Sequence, residues 1–302
     1  MGSLFAESRC RIYSILQKKH LGYACRNVGK LRFPVNISSQ RHNTNTSTAN
    51  EEEIKQFSDI ASKWWQWNNK NMPLHALNMV RVPLIRDALL GDEKSHKIDQ
   101  PRPLSGYKIL DVGCGGGILC EPLARLGAQV TGIDASSEII NVAKAHASKC
   151  DRVAANVSYQ CTTIEQLTTT ENAQSFDAVI ASEVIEHVDN VDLFVSSCCQ
   201  LIKPGGKHIV TTINRTPLSY AVMIIGGEYI SRIIPAGSHD WKKFITPKEL
   251  TKKLEEGGLN VDFIGGIFYN PLTNNAGWLD NTKVNYAIVA HKPSENYEKS
   301  NA

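Results

Sequence analysis

Residues 107–119 read YKILDVGCGGGIL, and the way this stretch folds decides the class of the protein. An apolar run, Ile109 to Val112, leads into four glycines within five residues and then into the helix-like ILCEPLARLG. A strand that turns on glycines into a helix leaves backbone N–H groups and the positive helix end open to a ligand. A dinucleotide-binding turn requires Gly-x-Gly-x-x-Gly there; counting from Gly113, Gly115 is in place but Ile118 stands where the third glycine belongs. A nicotinamide oxidoreductase is therefore a distant reading.

Outward from that turn, apolar strand-length runs alternate with helical ones. AQVTGIDAS, VSYQCTT, FDAVIAS and KHIVTTIN are separated by helix-length segments such as SEIINVAKAHASK and VDLFVSSCCQLI, and NVDFIGGIFYNP and VNYAIVAHK supply two last strands. Strands that are almost wholly apolar belong in a parallel sheet covered on both faces. The expected fold is α/β, a doubly wound, mostly parallel seven-stranded sheet, with N-terminal helices and an apolar insertion after strand 5. Pro73 and Pro83 are expected to break residues 51–90 into short helices. Pro204-Gly205-Gly206 separates the helix VDLFVSSCCQLI from the KHIVTTIN strand, and Thr246, Pro247 and Glu249 form a capping box. Asp134 ends the second strand 21 residues after Gly113, where a carboxylate can accept both hydroxyls of a ribose.

Charge is unevenly distributed. The first 50 residues hold eight Lys or Arg against one acid, a net +7, so the whole-chain +3 leaves the remainder at −4. A mildly acidic body argues against a nucleic-acid surface, which displaces counterions with clustered positive charge. The Arg-rich, acid-poor tail, RCRIYSILQKKHLGYACRNVGKL, alternates basic and apolar residues as a mitochondrial transit peptide does. The domain reading is transit peptide and linker over 1–50 and catalytic body over 51–292. Within the body, 51–104 are N-terminal helices and a loop and 214–245 an insertion; a polar tail follows over 293–302. Eight cysteines with no CxxC pair read as reduced thiols.

The glycine turn, Asp-x-Gly-x-Gly-x-Gly, resembles the first motif of class I S-adenosylmethionine-dependent methyltransferases. Further stretches narrow this: FSDIASKWW with PLHALNMVR, SEVIEHV, TTINRTPLSYA, GGEYISRIIPAGSHDWKKF, YNPLTN and VNYA. In that order, from about Glu51 to about Lys292, they closely resemble the ubiquinone-biosynthesis O-methyltransferase family. The resemblance implies an enzyme that uses S-adenosylmethionine to methylate ring hydroxyls of polyprenylated intermediates, 3,4-dihydroxy-5-polyprenylbenzoate and 3-demethylubiquinol. It also implies cofactor contacts at Arg81, Gly113, Asp134 and Ser182. A guanidinium at Arg81 suits the methionine carboxylate, although an Arg on an amphipathic helix is otherwise a surface residue.

SEVIEHV, residues 182–188, sits at the tip of the FDAVIAS strand. Glu183, Glu186 and His187, at i, i+3 and i+4, fall on one face if the segment is helical. Two carboxylates and an imidazole suit Mg²⁺ or a similar divalent cation, which would lower the acceptor phenol's pKa. The competing reading keeps His187 as a metal-free base and the glutamates as caps. His187 and Glu183 are the expected catalytic residues.

PLSYAVMIIGGEYISRIIPAG is apolar but interrupted by Gly226, Gly227, Glu228 and Arg232, too short between charges to span a bilayer. As a flap it could rest on a membrane surface and admit a lipid-borne ring. The expectation is a peripheral protein on the matrix side of the inner mitochondrial membrane, partnered by other proteins of a ubiquinone-synthesis complex. Two alternatives remain open: a methyltransferase for a soluble small phenol, and a catalytically idle scaffold of that complex.

Overall fold

The computed structural model describes residues 48–50, 54–55, 58, 64–65, 72–168, 172–224 and 240–294, all within one compact unit, Thr48–Ala302. The expected transit peptide, most of residues 51–71, residues 225–239 of the insertion and most of the polar tail lie outside the described residues. Among those described, eight strands form one sheet in the order β3-β2-β1-β4-β5-β8-β6-β7. They are β1 (Lys108–Val112), β2 (Gln129–Asp134), β3 (Val157–Cys161), β4 (Phe176–Ser182), β5 (Ile202–Ile213), β6 (Asn260–Asn270), β7 (Asn275–Leu279) and β8 (Asn285–His291). β1 to β5 pair in parallel; β8 is antiparallel between β5 and β6.

The eighth strand corrects the expected seven. β7 folds back on β6 as a hairpin, with Asn270 opposite Asn275. Its sequence, NAGWL, carries no apolar run, so only pairing to the open edge of β6 makes it a strand. A second correction concerns Pro204–Gly206. These residues belong to β5, where its register against β4 jumps from Phe176↔Ile202 to Ala178↔Lys207. The three extra residues bulge within the strand, and Gly205 and Gly206 bond to the Lys292 backbone at the end of β8.

Helices α1 (Met72–Leu90), α2 (Cys120–Arg125), α3 (Ser137–Ala147), α4 (Val191–Leu201) and α5 (Pro247–Glu256) cover the sheet. Pro73 occupies the first turn of α1, where an N–H would be unpaired anyway. Pro83 lies inside α1 and does not break it. Its missing bond falls behind Met79, which is exposed, while Leu77, Val80, Leu84 and Ile85 on the other face are buried; that packing outweighs the ~3 kcal/mol an interior proline costs. The capping box at Thr246 and Glu249 forms as read.

On the α4 face of the sheet, Leu110, Val112, Val179, Ala181 and Val210 pack on Phe194, Val195 and Cys198 of α4 and on Leu250 and Leu254 of α5. The polar residues Thr48–Asn50, assigned to the linker, are in fact tied to the body. Ala49 bridges Val188, Thr48 donates to Glu165 and Asn50 to Asp189. Specific acceptors, not burial of apolar surface, hold this stretch.

Candidate active site

Four sequence-predicted residues gather at the C-terminal edge of three adjacent strands, the customary ligand crevice of open α/β sheets. Gly113 follows β1, Asp134 ends β2 and Ser182 ends β4; Arg81 reaches them from α1. Gly113 and Gly115 have φ of +66° and +53°, conformations that favour glycine. A Cβ on Gly113 would lie 2.4 Å from Val184 Cγ2, and one on Gly115 2.7 Å from Trp64 Cη2. The turn is thus walled by Val184 of SEVIEHV and by a tryptophan of the N-terminal segment.

Asp134 is held by the turn it serves. Its carboxylate accepts the Gly115 N–H at 3.1 Å and the Ser136 N–H at 2.9 Å, and Ser136 in turn caps α3. Burial raises the Asp134 pKa while these N–H groups oppose the rise. Neighbouring Asp111, fully enclosed at the end of β1, is pushed by burial up to about 6, with the Cys120 thiol donating to it at 3.1 Å.

Arg81 is buried, not a surface residue, at 4% exposure. Its Nη1 donates to Ser182 Oγ at 2.8 Å, and its Nη2 to Asn78 Oδ1 at 2.7 Å and to the Leu74 carbonyl. Nε has no partner among the described residues. Burial lowers the Arg81 pKa, while Glu183 and Asp111 counter it as nearby negative charges. A buried guanidinium with an unsatisfied N–H beside the glycine turn fits an anionic ligand group.

SEVIEHV departs from the expected helical face. Only Ile185–His187 are helical, as one 3-10 turn, and Glu183 precedes it with φ of +57°. The two carboxylates are anchored by consecutive hydroxyls of β5: Thr211 donates to Glu183 at 2.7 Å and Thr212 to Glu186 at 2.7 Å. Consecutive strand residues point to opposite faces. Glu183 is therefore drawn to the α1 face with Ser182, and Glu186 to the α4 face with Val210. Among the described residues no three His, Cys, Asp or Glu side chains are disposed to hold a metal ion. The donor types of Glu183, Glu186 and His187 suit a divalent cation; their present arrangement does not fit one, and no chemical step is derived through it. Glu186, 3% exposed, has its pKa raised to about 7, first by burial and then by the Glu183 charge, with His187 opposing.

Sequence reasoning missed three contributors. Thr211 and Thr212 orient the carboxylates; the signals were two hydroxyls ending an apolar strand and their place at the head of TTINRTPLSYA. Trp65 donates to the Gly116 carbonyl at 2.9 Å and stacks on His146 at 3.5 Å, so the WW pair covers the glycine turn.

A glycine turn after β1, an acid ending β2 and a parallel sheet of this order define an S-adenosylmethionine-dependent methyltransferase. A family model described as a methyltransferase domain matches residues 110–210. Among solved structures, magnesium protoporphyrin IX methyltransferase from Synechocystis PCC 6803 with bound SAH aligns over 80% of this chain and 99% of its own, with TM-score 0.53 and 17% identity. The mitochondrial ubiquinone biosynthesis O-methyltransferase of Rattus norvegicus is 46% identical over 245 residues, 81% of this chain and 70% of the relative. The ubiquinone biosynthesis O-methyltransferase of Brucella anthropi is 42% identical over 251 residues, 83% and 99% respectively. The chain belongs to the ubiquinone biosynthesis O-methyltransferase family, and it is an S-adenosylmethionine-dependent O-methyltransferase.

Proposed function

We propose that this mitochondrial enzyme methylates ring hydroxyls of polyprenylated ubiquinone precursors, a dihydroxybenzoate and a demethylubiquinol, with Glu183 and His187 on the acceptor side. The observation that carries the reading is Val184 packed against Gly113, which sets SEVIEHV beside the turn where the methyl donor belongs. Arg81 binds the methionine carboxylate beside Ser182, and Asp134 takes the ribose hydroxyls. The phenol oxygen attacks the sulfonium methyl, the C–S bond breaks, and the phenol proton passes to His187 as general base. Glu183 accepts from the neighbouring ring hydroxyl and fixes which oxygen faces the methyl group.

A second reading, a divalent cation on Glu183, Glu186 and His187, is favoured by one observation: the Glu183 charge raises the Glu186 pKa, a repulsion that a cation removes. It requires Glu186 to leave Thr212. Methyl transfer to a 3-demethylubiquinol analogue, with and without chelator, separates the two. Transfer that survives chelator assigns the proton to His187; transfer lost with chelator and restored by Mg²⁺, but not in Glu186→Gln, assigns the cation. Transfer to a soluble catechol alone replaces the quinol acceptor.

The long apolar tail of such an acceptor lodges in lipid. Among the described residues no helix is long and apolar enough to cross a membrane. Leu218, Tyr220 and Val222, at the start of the insertion, are 47%, 44% and 46% exposed, and we assign them to peripheral contact with the matrix face of the inner membrane, where the other proteins of the pathway assemble. Replacing all three by Ser is expected to lower sedimentation with cardiolipin-containing liposomes several-fold; equal sedimentation rejects the contact.

A further inference from the structure

We propose that Thr211 is a positioning residue that couples the methyl-donor site to Glu183 through a directed hydroxyl relay; the inference deepens the acceptor-side role given to Glu183 above. The relay has four members. Arg81 Nη1 donates to Ser182 Oγ at 2.8 Å, Ser182 Oγ lies 2.8 Å from Thr211 Oγ1, and Thr211 Oγ1 donates to Glu183 Oε1 at 2.7 Å.

Its ends fix its direction. A guanidinium has no acceptor and an ionised carboxylate has no donor. Ser182 therefore accepts from Arg81 and spends its one proton on Thr211, which spends its own on Glu183. Every hydroxyl proton is assigned, and each bond polarises the next. Thr211 is 2% and Arg81 4% exposed, while Ser182 and Glu183 are half-buried, so the two ends of the Thr211 link differ in their access to water. The carboxylate so held belongs to a residue with φ of +57°, a conformation that needs support from its surroundings. Support comes twice from the same residue, because the Thr211 carbonyl also accepts the Glu183 N–H at 2.8 Å.

Coupling follows from Arg81 standing at the head. When the donor's carboxylate takes up Arg81, the charge that Ser182 feels changes, and the change reaches Glu183 through two hydroxyls and no moving backbone. The acceptor site is thereby tuned by occupancy of the donor site. Thr212 has no such connection: its hydroxyl serves Glu186, on the other face of β5.

Thr211→Val keeps the shape and removes the hydroxyl; Thr211→Ser restores it. The expected result for Thr211→Val is a kcat about tenfold lower or more, the order lost with one hydrogen bond to a charged group, with adenosylhomocysteine affinity within about twofold of the parent. Thr211→Ser is expected to recover most of kcat. An unchanged kcat in Thr211→Val, a loss confined to donor affinity, or a Thr211→Ser variant as slow as Thr211→Val overturns the relay. A crystal structure of Thr211→Val reads the same point without any acceptor. Glu183 is expected to leave its present rotamer, and a carboxylate still in place overturns the proposal even if the quinol proves to be the wrong acceptor. Absence of quinol methylation by the unmodified enzyme would instead count against the acceptor reading alone.

Discussion

Gly113→Ala is expected to abolish measurable adenosylhomocysteine binding and to lower the melting temperature by several degrees. Two independent penalties meet at this position. The backbone at φ of +66° costs a residue with a Cβ about 1–2 kcal/mol. The new methyl would also sit 2.4 Å from Val184 Cγ2, too close for any Cβ contact, so Val184 must shift. Val184 immediately precedes the 3-10 turn of Ile185–His187 and follows Glu183, so its displacement disturbs the acceptor side as well as the donor turn. A combined cost near ~3 kcal/mol lowers the melting temperature by about 6–12 °C in a body of this size. Gly205→Ala isolates the backbone penalty, because Gly205 has φ of +77° with nothing within 4 Å of its added Cβ. It should lose the strain alone and bind the ligand normally. Calorimetric titration of both variants decides the matter, and Gly113→Ala binding as tightly as Gly205→Ala would refute it.

The contrast between these glycines shows what was legible in the sequence. β1 and β4 announced themselves because parallel strands buried on both faces must be apolar nearly throughout, as ILDV and FDAVIA are. Gly113 and Asp134 followed from their place at strand ends. Pro83 misled because helix propensity is local, whereas the buried face of α1 is a tertiary effect. β7 was illegible because an edge partner, not its own composition, makes it a strand. Glu183, Glu186 and His187 were read as one helical face, which the structure does not form. Their spacing fits a helix, but a left-handed residue at Glu183 breaks the period, and no sequence rule anticipates positive φ at glutamate. Thr211 and Thr212 stood in the family-like stretch TTINRTPLSYA, but nothing singled out their hydroxyls, since a β-branched residue in a strand needs no functional explanation.

Glu186 is expected to make the fold less stable as pH rises from 5 to 8, and Glu186→Gln to remove that slope. The carboxyl titrates at about 7 in the folded chain against an ordinary 4.5. Below pH 4.5 both folded and unfolded chains hold the proton and the group contributes nothing. Between 4.5 and 7 the unfolded chain releases its proton while the folded one retains it, so unfolding gains ground with every step in pH. Above 7 the whole cost is present, about 3 kcal/mol at ~1.4 kcal/mol per pKa unit. Glutamine keeps an oxygen for the Thr212 hydroxyl and carries no charge, so the variant should melt about 6–12 °C above the parent at pH 8 and alongside it at pH 4. His208 bounds the acid side. Buried and held by the Val179 carbonyl at 2.8 Å, it is pushed down by burial to about 4. Stability dependent on its neutral form is lost as pH falls from 6.5 towards 4, and Glu186→Gln leaves that limb untouched. Melting curves of parent and variant from pH 4 to 8 test the assignment; parallel curves would show that Glu186 is not the group responsible. If the variant is stabler yet slower in methyl transfer, the acid is retained at a cost to the fold, which is the signature of a residue kept for chemistry.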